Sequence, residues 1–267
     1  MKRIHLFEFE DQPWFPDWIR TCLTRLIVVM HKLLNSSHHL AALTTKALQS
    51  TDTPRIIDLC SGSGGPMIEV YKTLKKNPGF ENLELVLTDL YPNTELASEI
   101  NRRKIPGLSY QTSPVNAKDV DGKLRGVRTM VGSFHHMKPD TARAILKDAR
   151  DSNQPICIYE ISDNSLPVFL WWLSLPLIFL MAFFITPFVK PLSLKQVIFT
   201  YLLPVIPFFF AWDGAVSNAR TYTLKDIDLL IKGLDSGDFN WEKGQIPGIA
   251  KRLYLLGIPA GARSQTP

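Results

Sequence analysis

No residue from Asn164 to Val189 carries a charge, and within that run LPVFLWWLSLPLIFLMAFFITPFV is 24 residues long. At about 1.5 Å per residue a helix of that length reaches roughly 36 Å, enough for a bilayer's hydrocarbon core. After the link KPLSLK comes QVIFTYLLPVIPFFFAW, 17 residues, again uncharged. Neither run has a polar face to turn to water, so a membrane hairpin is expected, with a buried helical hairpin in a soluble protein as the alternative. Prolines 167, 176, 187, 191, 204 and 207 interrupt it. Interior prolines kink helices, so a hairpin dipping into one leaflet stands beside a double crossing. Lys190 and Lys195 in the link resist translocation.

The rest of the chain is ordinary in composition. Thirty Lys and Arg against 25 Asp and Glu give a net charge of +5, which suits anionic surfaces without calling for nucleic acid, and none is expected. Cys22, Cys60 and Cys157 are scattered without a CxxC pair, which fits a reducing compartment and signals neither disulfides nor zinc. The acidic residues of MKRIHLFEFEDQPWF do not read as a secretory signal. From Trp18 to Leu34 apolar residues recur at helical spacing, with Arg20, Arg25 and Lys32 mostly opposite. This predicts an amphipathic helix lying on a membrane; the alternative is a helix packed on the domain's own sheet. Only the tail AGARSQTP looks disordered.

Strand-like and helix-like stretches alternate elsewhere, the pattern of a mostly parallel, doubly wound α/β sheet with helices on both faces. RIIDLC, LELVLTDL, LSYQTSPV, VRTMVGSFHHM and PICIYEIS read as the first five strands. The hairpin follows the fifth, and TLKDIDLLIKGLD, FNWEKGQI and KRLYLLGIP complete the sheet. Residues 1–50 thus form an N-terminal helical segment, 51–163 a nucleotide-binding core, 164–212 the apolar insertion and 213–267 the C-terminal completion of the core.

The turn DLCSGSGG decides what such a core holds. A dinucleotide fingerprint needs a third glycine where Met67 stands, and no Gly-Lys-Ser/Thr of a phosphate loop follows. The turn resembles the first motif of class I S-adenosylmethionine-dependent methyltransferases, an acidic residue followed by alternating glycines. Asp58 matches the acid, Gly62 and Gly64 match two glycines, and Cys60 replaces the other. The resemblance covers residues 54–163 well and stops at the hairpin. It implies a Rossmann-like fold and S-adenosylmethionine as cofactor, cradled by Asp58, Cys60, Ser61, Gly62 and Gly64. It places Asp89, followed by Leu90, on the ribose hydroxyls, Asn116 and Ala117 on the adenine, and Ser133 beside the methyl donor.

Methyl transfer needs a positioned acceptor and, for many acceptors, a base. His135 and His136 are candidates because imidazole titrates near neutrality. On an extended segment only one of them faces the cleft, and His136 is favoured; Glu160 is the second candidate. No metal is expected, since no carboxylate ligands lie near the pair in sequence. Trp212, Asp213, Arg220 and Tyr222 form a polar cluster after the hairpin. Arg220 there suits a phosphate or carboxylate head group and Asp213 a hydroxyl, or else the cluster is an interfacial anchor with Thr223 capping the next helix. The expectation is a membrane-associated methyltransferase, its soluble domain facing the cytoplasm, acting on oxygen or carbon of a lipid-soluble acceptor such as a quinone precursor, isoprenoid or polar lipid. A non-catalytic cofactor-binding membrane scaffold and another nucleotide-dependent membrane enzyme, such as an oxidoreductase, are the alternatives. Nothing in the sequence sets the oligomeric state.

Overall fold

A computed structural model describes residues 1, 3–162, 167–235, 237–248 and 251–260. The tail from residue 261, expected to be disordered, and the first residues of the insertion lie outside them. Seven strands form one sheet in the order β3-β2-β1-β4-β5-β7-β6. They are β1 (Arg55–Asp58), β2 (Glu84–Leu87), β3 (Leu108–Tyr110), β4 (Val127–Val131), β5 (Ile156–Tyr159), β6 (Phe239–Ile246) and β7 (Arg252–Pro259). The first five are parallel, and β7 inserts antiparallel between β5 and β6. β3 is shorter than LSYQTSPV suggested: after Gln111 donates to Leu87 O (2.9 Å) the ladder ends, and Pro114 has no N–H to extend it.

Buried apolar residues on both faces explain the near-continuous hydrophobic strands. One face packs on α5 (Pro139–Asp151) and α9 (Leu224–Ile231), through Ala142, Ile145, Leu146 and Ala149 at helical spacing and Ile227 and Leu230. Thr223 caps α9 in a capping box with Asp226. The other face is covered by α2 (Ser36–Leu48), α3 (Met67–Leu74) and α4 (Thr94–Arg102), with Leu40, Leu48, Met67, Val70 and Ile100 in its core.

The N-terminal amphipathic helix, α1 (Asp17–Leu33), does not pack on the sheet. Its apolar face meets the insertion: Ile19, Cys22, Leu23, Leu26 and Val29 share a core with residues of α6 (Ser174–Ile185) and α8 (Val205–Arg220), among them Ala182, Ile206, Phe210 and Ala215. The same stripe that suggests a lipid contact is satisfied by another apolar helix.

The insertion contains one helical run, Val168–Phe188, long and apolar enough to cross a membrane, with only 17% of its most apolar window buried. Leu177 and Phe184 are 70% and 74% exposed. The second arm is not a straight span. The short α7 (Leu194–Val197) passes into a π turn ending at Leu202, and α8 then leaves at an 83° bend. Pro204 excludes its predecessor from helical backbone, and Leu203 accordingly has φ −125° and ψ 95°. α8 continues unbroken past the expected boundary at 212, so the polar cluster shares a helix with the apolar arm.

Leu26 is fully buried between α1 and the insertion. Leu26→Ala is therefore expected to lower stability by about 2–5 kcal/mol, as read by urea unfolding in detergent. A loss under about 1 kcal/mol would mean that this interface contributes little beyond ordinary surface packing.

Candidate active site

The site lies where the parallel strands end. β1 runs into a turn whose backbone is left-handed at Cys60 (φ 55°), Gly62 (φ 51°), Gly64 (φ 85°) and Gly65 (φ 40°). At Gly64 the positive φ itself favours glycine, and a Cβ there would also press on the side-chain ends of Ile68 (2.8 Å from Cδ1) and Leu87 (3.0 Å from Cδ1). Cys60 occupies a conformation that glycine adopts freely and a side chain only at a cost of about 1–2 kcal/mol. Burial pushes its thiol up to about 12, with Asp89 and Asp58 adding to the shift, so the sulfur is no nucleophile at neutral pH.

Asp58 and Ser61 hold the turn. Thr129 Oγ1 donates to Asp58 Oδ1 (2.6 Å), joining the ends of β1 and β4; burial pushes this carboxyl up to about 7, against the hydrogen bonds of Thr129 and Ser61. Ser61 Oγ donates to Asp58 O (2.8 Å) and accepts from Thr88 N (3.1 Å). Asp89 sits over the turn, accepting from Gly62 N at 3.0 Å and Tyr91 N at 2.9 Å; Leu90 beside it is 40% exposed. Tyr110 OH bonds Gly62 O at 2.9 Å. Asn116 is exposed, and its Oδ1 accepts from Lys118 N (3.1 Å) in a local turn, while Ala117 is buried. Ser133 Oγ is buried and has no hydrogen-bond partner.

The histidine pair departs from the extended geometry assumed from sequence. Phe134–His136 form one turn of 3-10 helix, so the imidazoles stand side by side with centroids 4.2 Å apart and planes 34° apart. Glu160, at the end of β5, grips His135 twice: Oε1 accepts from His135 N (3.0 Å) and Oε2 lies 2.8 Å from Nδ1. His135 Nε2 is left buried and unpartnered. Burial pushes the Glu160 carboxyl up, but His135 outweighs it and holds the group below the usual range.

His136 faces a different set. Its Nδ1 lies 3.0 Å from Asp11 Oδ1 and 3.4 Å from Glu8 Oε2, two residues of the N-terminal segment. Arg220, 3% exposed, pairs through Nη1 with Asp11 (2.7 Å) and Glu8 (3.1 Å), and its Nε donates to Leu6 O at 2.8 Å. Burial pushes Glu8 up to about 8, against the pull of His136 and Arg220. Trp212 Nε1 donates to Phe7 O (3.0 Å), Asp213 accepts from Phe9 N (2.7 Å) and Glu10 N (3.1 Å), and Arg3 donates to Tyr222 OH (2.7 Å) while its guanidinium stacks 4.2 Å from that ring. All four residues expected to greet an acceptor thus hold residues 3–11 as a strap, because buried polar groups take the nearest partners available.

Glu8, Asp11 and Arg3 were not legible as site residues; the only trace is the acidic run FEFED, whose partners lie more than a hundred residues away. His31 was missed too. It is 4% exposed on α1, its Nδ1 has no partner, and its Nε2 lies 3.8 Å from where a Cβ on Gly132 would stand, next to Ser133. By contrast, an open apolar groove of about 370 Å³ at the hairpin's bend is lined by Leu203, Pro204, Val205, Phe208 and Phe209 and offers no polar group for chemistry.

No family model matches the chain, and no curated protein does. Solved structures do. The plantazolicin methyltransferase BamL, in complex with a triazolic desmethylPZN analog and SAH, is 11% identical with a TM-score of 0.50, over 91% of this chain and 98% of that one. The O-methyltransferase NcsB1 from neocarzinostatin biosynthesis, with S-adenosylmethionine and 2-hydroxy-5-methyl naphthoic acid, is 12% identical with a TM-score of 0.44, over 85% and 56%. The citrinin polyketide synthase CMeT domain is 13% identical with a TM-score of 0.45, over 76% and 46%, so the chain spans about half the length of these last two. With the strand order and the glycine turn, the likeness to BamL defines the fold as that of the class I S-adenosylmethionine-dependent methyltransferases.

Burial pushes the His31 imidazole down from 6.5 to about 4. The folded chain therefore refuses a proton that the unfolded chain accepts, so stability is lost as pH falls from 6.5 towards 4, by roughly 3 kcal/mol from this group. His31→Gln is expected to remove that part of the slope in urea unfolding between pH 7 and 4. An equally steep loss in the variant would assign the slope to other groups.

Proposed function

We propose that the chain is a methyltransferase that transfers a methyl group from S-adenosylmethionine to an oxygen or carbon of a lipid-soluble acceptor, and that the apolar insertion keeps it at a membrane with its soluble domain facing the cytoplasm. The observation that carries the reading is the His135–Glu160 pair at the ends of β4 and β5, beside a left-handed glycine turn. In open α/β sheets ligands bind beyond those strand ends. The turn suits the cofactor: a Cβ on Gly62 or Gly65 would meet nothing within 4 Å, so open space lies where a ligand would approach the backbone. When bound, S-adenosylmethionine supplies an electrophilic methyl on its sulfonium.

The chain's own residues supply the rest. Asp58, Cys60, Ser61, Gly62 and Gly64 shape the cradle, and Asp89, with Leu90, offers carboxylate oxygens to a pair of ribose hydroxyls. Asn116 and Ala117 border the adenine, and Ser133 Oγ is free for the donor or the acceptor. The base is His135 rather than His136. Glu160 fixes its Nδ1–H, leaving the unpartnered Nε2 lone pair to take the acceptor's proton, whereas burial works against the charge of His136 but Glu8 and Asp11 outweigh it and favour imidazolium, which has no lone pair to offer. Support for the membrane comes from the exposed apolar helix Val168–Phe188, and the 83° bend of the second arm favours entry into one leaflet. The N-terminal region contributes through α1, whose apolar face braces the insertion.

Calorimetry on detergent-solubilised protein with S-adenosylmethionine, S-adenosylhomocysteine and NADPH, followed by transfer of labelled methyl into a membrane extract, tests the reading. Dinucleotide binding alone, or binding without transfer, would remove it in favour of an oxidoreductase or a scaffold. Asp89→Ala is expected to weaken S-adenosylmethionine binding by about 2 kcal/mol or more, since two hydroxyls lose charge-assisted bonds; unchanged affinity takes Asp89 out of the site. His135→Ala is expected to keep cofactor binding and to cut turnover about a hundredfold, with Glu160→Gln following in the same direction. If only His136→Ala slows turnover, the base is His136.

A further inference from the structure

We propose that Glu8, His135 and His136 form a binding site for one divalent first-row metal ion of the zinc class. One ligand atom from each of these side chains lies within 4.8 Å of the others. Metal–ligand bonds of about 2.0–2.2 Å place neighbouring ligands of a tetrahedral ion roughly 3.5 Å apart, so small side-chain rotations close the set. Two histidines and one carboxylate with further positions open are the composition of reactive rather than closed structural sites.

Two independent observations point to a missing ligand. Glu8 Oε2 and His135 Nε2 are both buried without a hydrogen-bond partner, on side chains 0% and 4% exposed. Buried polar atoms are almost always satisfied, and a carboxylate oxygen whose one near contact is His136 Nδ1 at 3.4 Å, close to an unpartnered imidazole nitrogen, is a pairing that a cation resolves. The surroundings orient the same atoms. Glu160 Oε2 holds His135 Nδ1 at 2.8 Å, the carboxylate partner typical of metal-bound histidine, which leaves Nε2 for the ion, while His136 presents Nδ1, 3.4 Å from Glu8 Oε2 and flanked by Asp11 Oδ1 at 3.0 Å and Arg220 Nη1 at 3.3 Å. Arg220 and Ser217 take Glu8 Oε1 at 3.1 and 3.2 Å, neutralising one oxygen and leaving the other. The adjacent histidines alone would be a poor site; the strap adds the carboxylate from 127 positions earlier in the chain. His135 Nε2 serves one purpose at a time, ligand when the ion is bound and base when it is not. The ion site itself does not depend on methyl transfer.

The test is metal binding by the full chain after chelator dialysis. Zinc titrated against a chromophoric chelator is expected to bind one per chain and to raise the melting temperature, and cobalt(II) is expected to give the intense visible absorption of a tetrahedral site. Glu8→Gln and His136→Ala should each weaken zinc at least tenfold. Glu160→Gln, which leaves all three ligands in place, should weaken it by about ten- to a hundredfold. The surface pair His38 and His39, with rings 5.5 Å apart, is the competing site, and its double alanine variant should bind zinc as the parent does. Absence of stoichiometric binding overturns the proposal. So does affinity unchanged in whichever of the Glu8, His136 and Glu160 variants fold, or lost in the His38/His39 variant.

Discussion

A guanidinium as buried as that of Arg220 is tolerable only when paired, and its partners Glu8 and Asp11 come from the opposite end of the chain. Removing one partner from such a pair costs about 3–5 kcal/mol, because the other charge stays buried without compensation. The position of residues 3–11 is therefore not a loose choice of the terminus. Arg3 adds to it by donating to Arg220 O (2.6 Å), Met137 O (2.7 Å) and Tyr222 OH, which ties the strap to the segment following the histidines. The strap becomes one wall of the site, and the two imidazoles acquire their environments from it and from β5.

The same helix that carries Arg220 carries the apolar packing of the insertion. On α8, Ile206, Phe210, Ala211 and Ala215 face α1 and α6, while Asp213 and Arg220 hold the strap. Helix α1 in turn reaches from that apolar core to His31 beside Gly132. A displacement of the insertion would be carried by a rigid element to the polar groups around the histidines, since close-packed interiors transmit strain. The apolar insertion and the polar groups around the histidines are thus mechanically joined in this architecture, since α8 runs unbroken from its apolar half to its polar half.

The alternation of strands and helices, the glycine turn and the placement of the insertion after the fifth strand were all legible in the sequence. Each is written in local chemistry: period-2 and period-3.6 patterns, left-handed glycines, a run without charge. Asp58, Cys60, Gly62, Gly64 and Asp89 could be located because strand ends in an open parallel sheet have predictable neighbours. The cysteine standing for a glycine was visible, while the left-handed backbone it must adopt was not.

The limits of local reading show in three places. The pitch of Phe134–His136 is a single 3-10 turn, too short for periodicity to reveal, and it sets the two imidazoles side by side where an extended segment would turn them apart. An amphipathic stripe states that α1 must bury one face but does not say against what, and lipid, sheet and insertion satisfy it equally until the chain is folded. Polar clusters are the most deceptive, because Trp212, Asp213, Arg220 and Tyr222 have the composition of a ligand site whether their partners are a head group or the chain's own backbone. The sequence by itself determined the sheet, its glycine turn and the apolar insertion. Only the tertiary structure decided that Glu8 and Asp11 stand beside His136, since the pairing of buried charges is chosen by which chain segments long-range packing brings together.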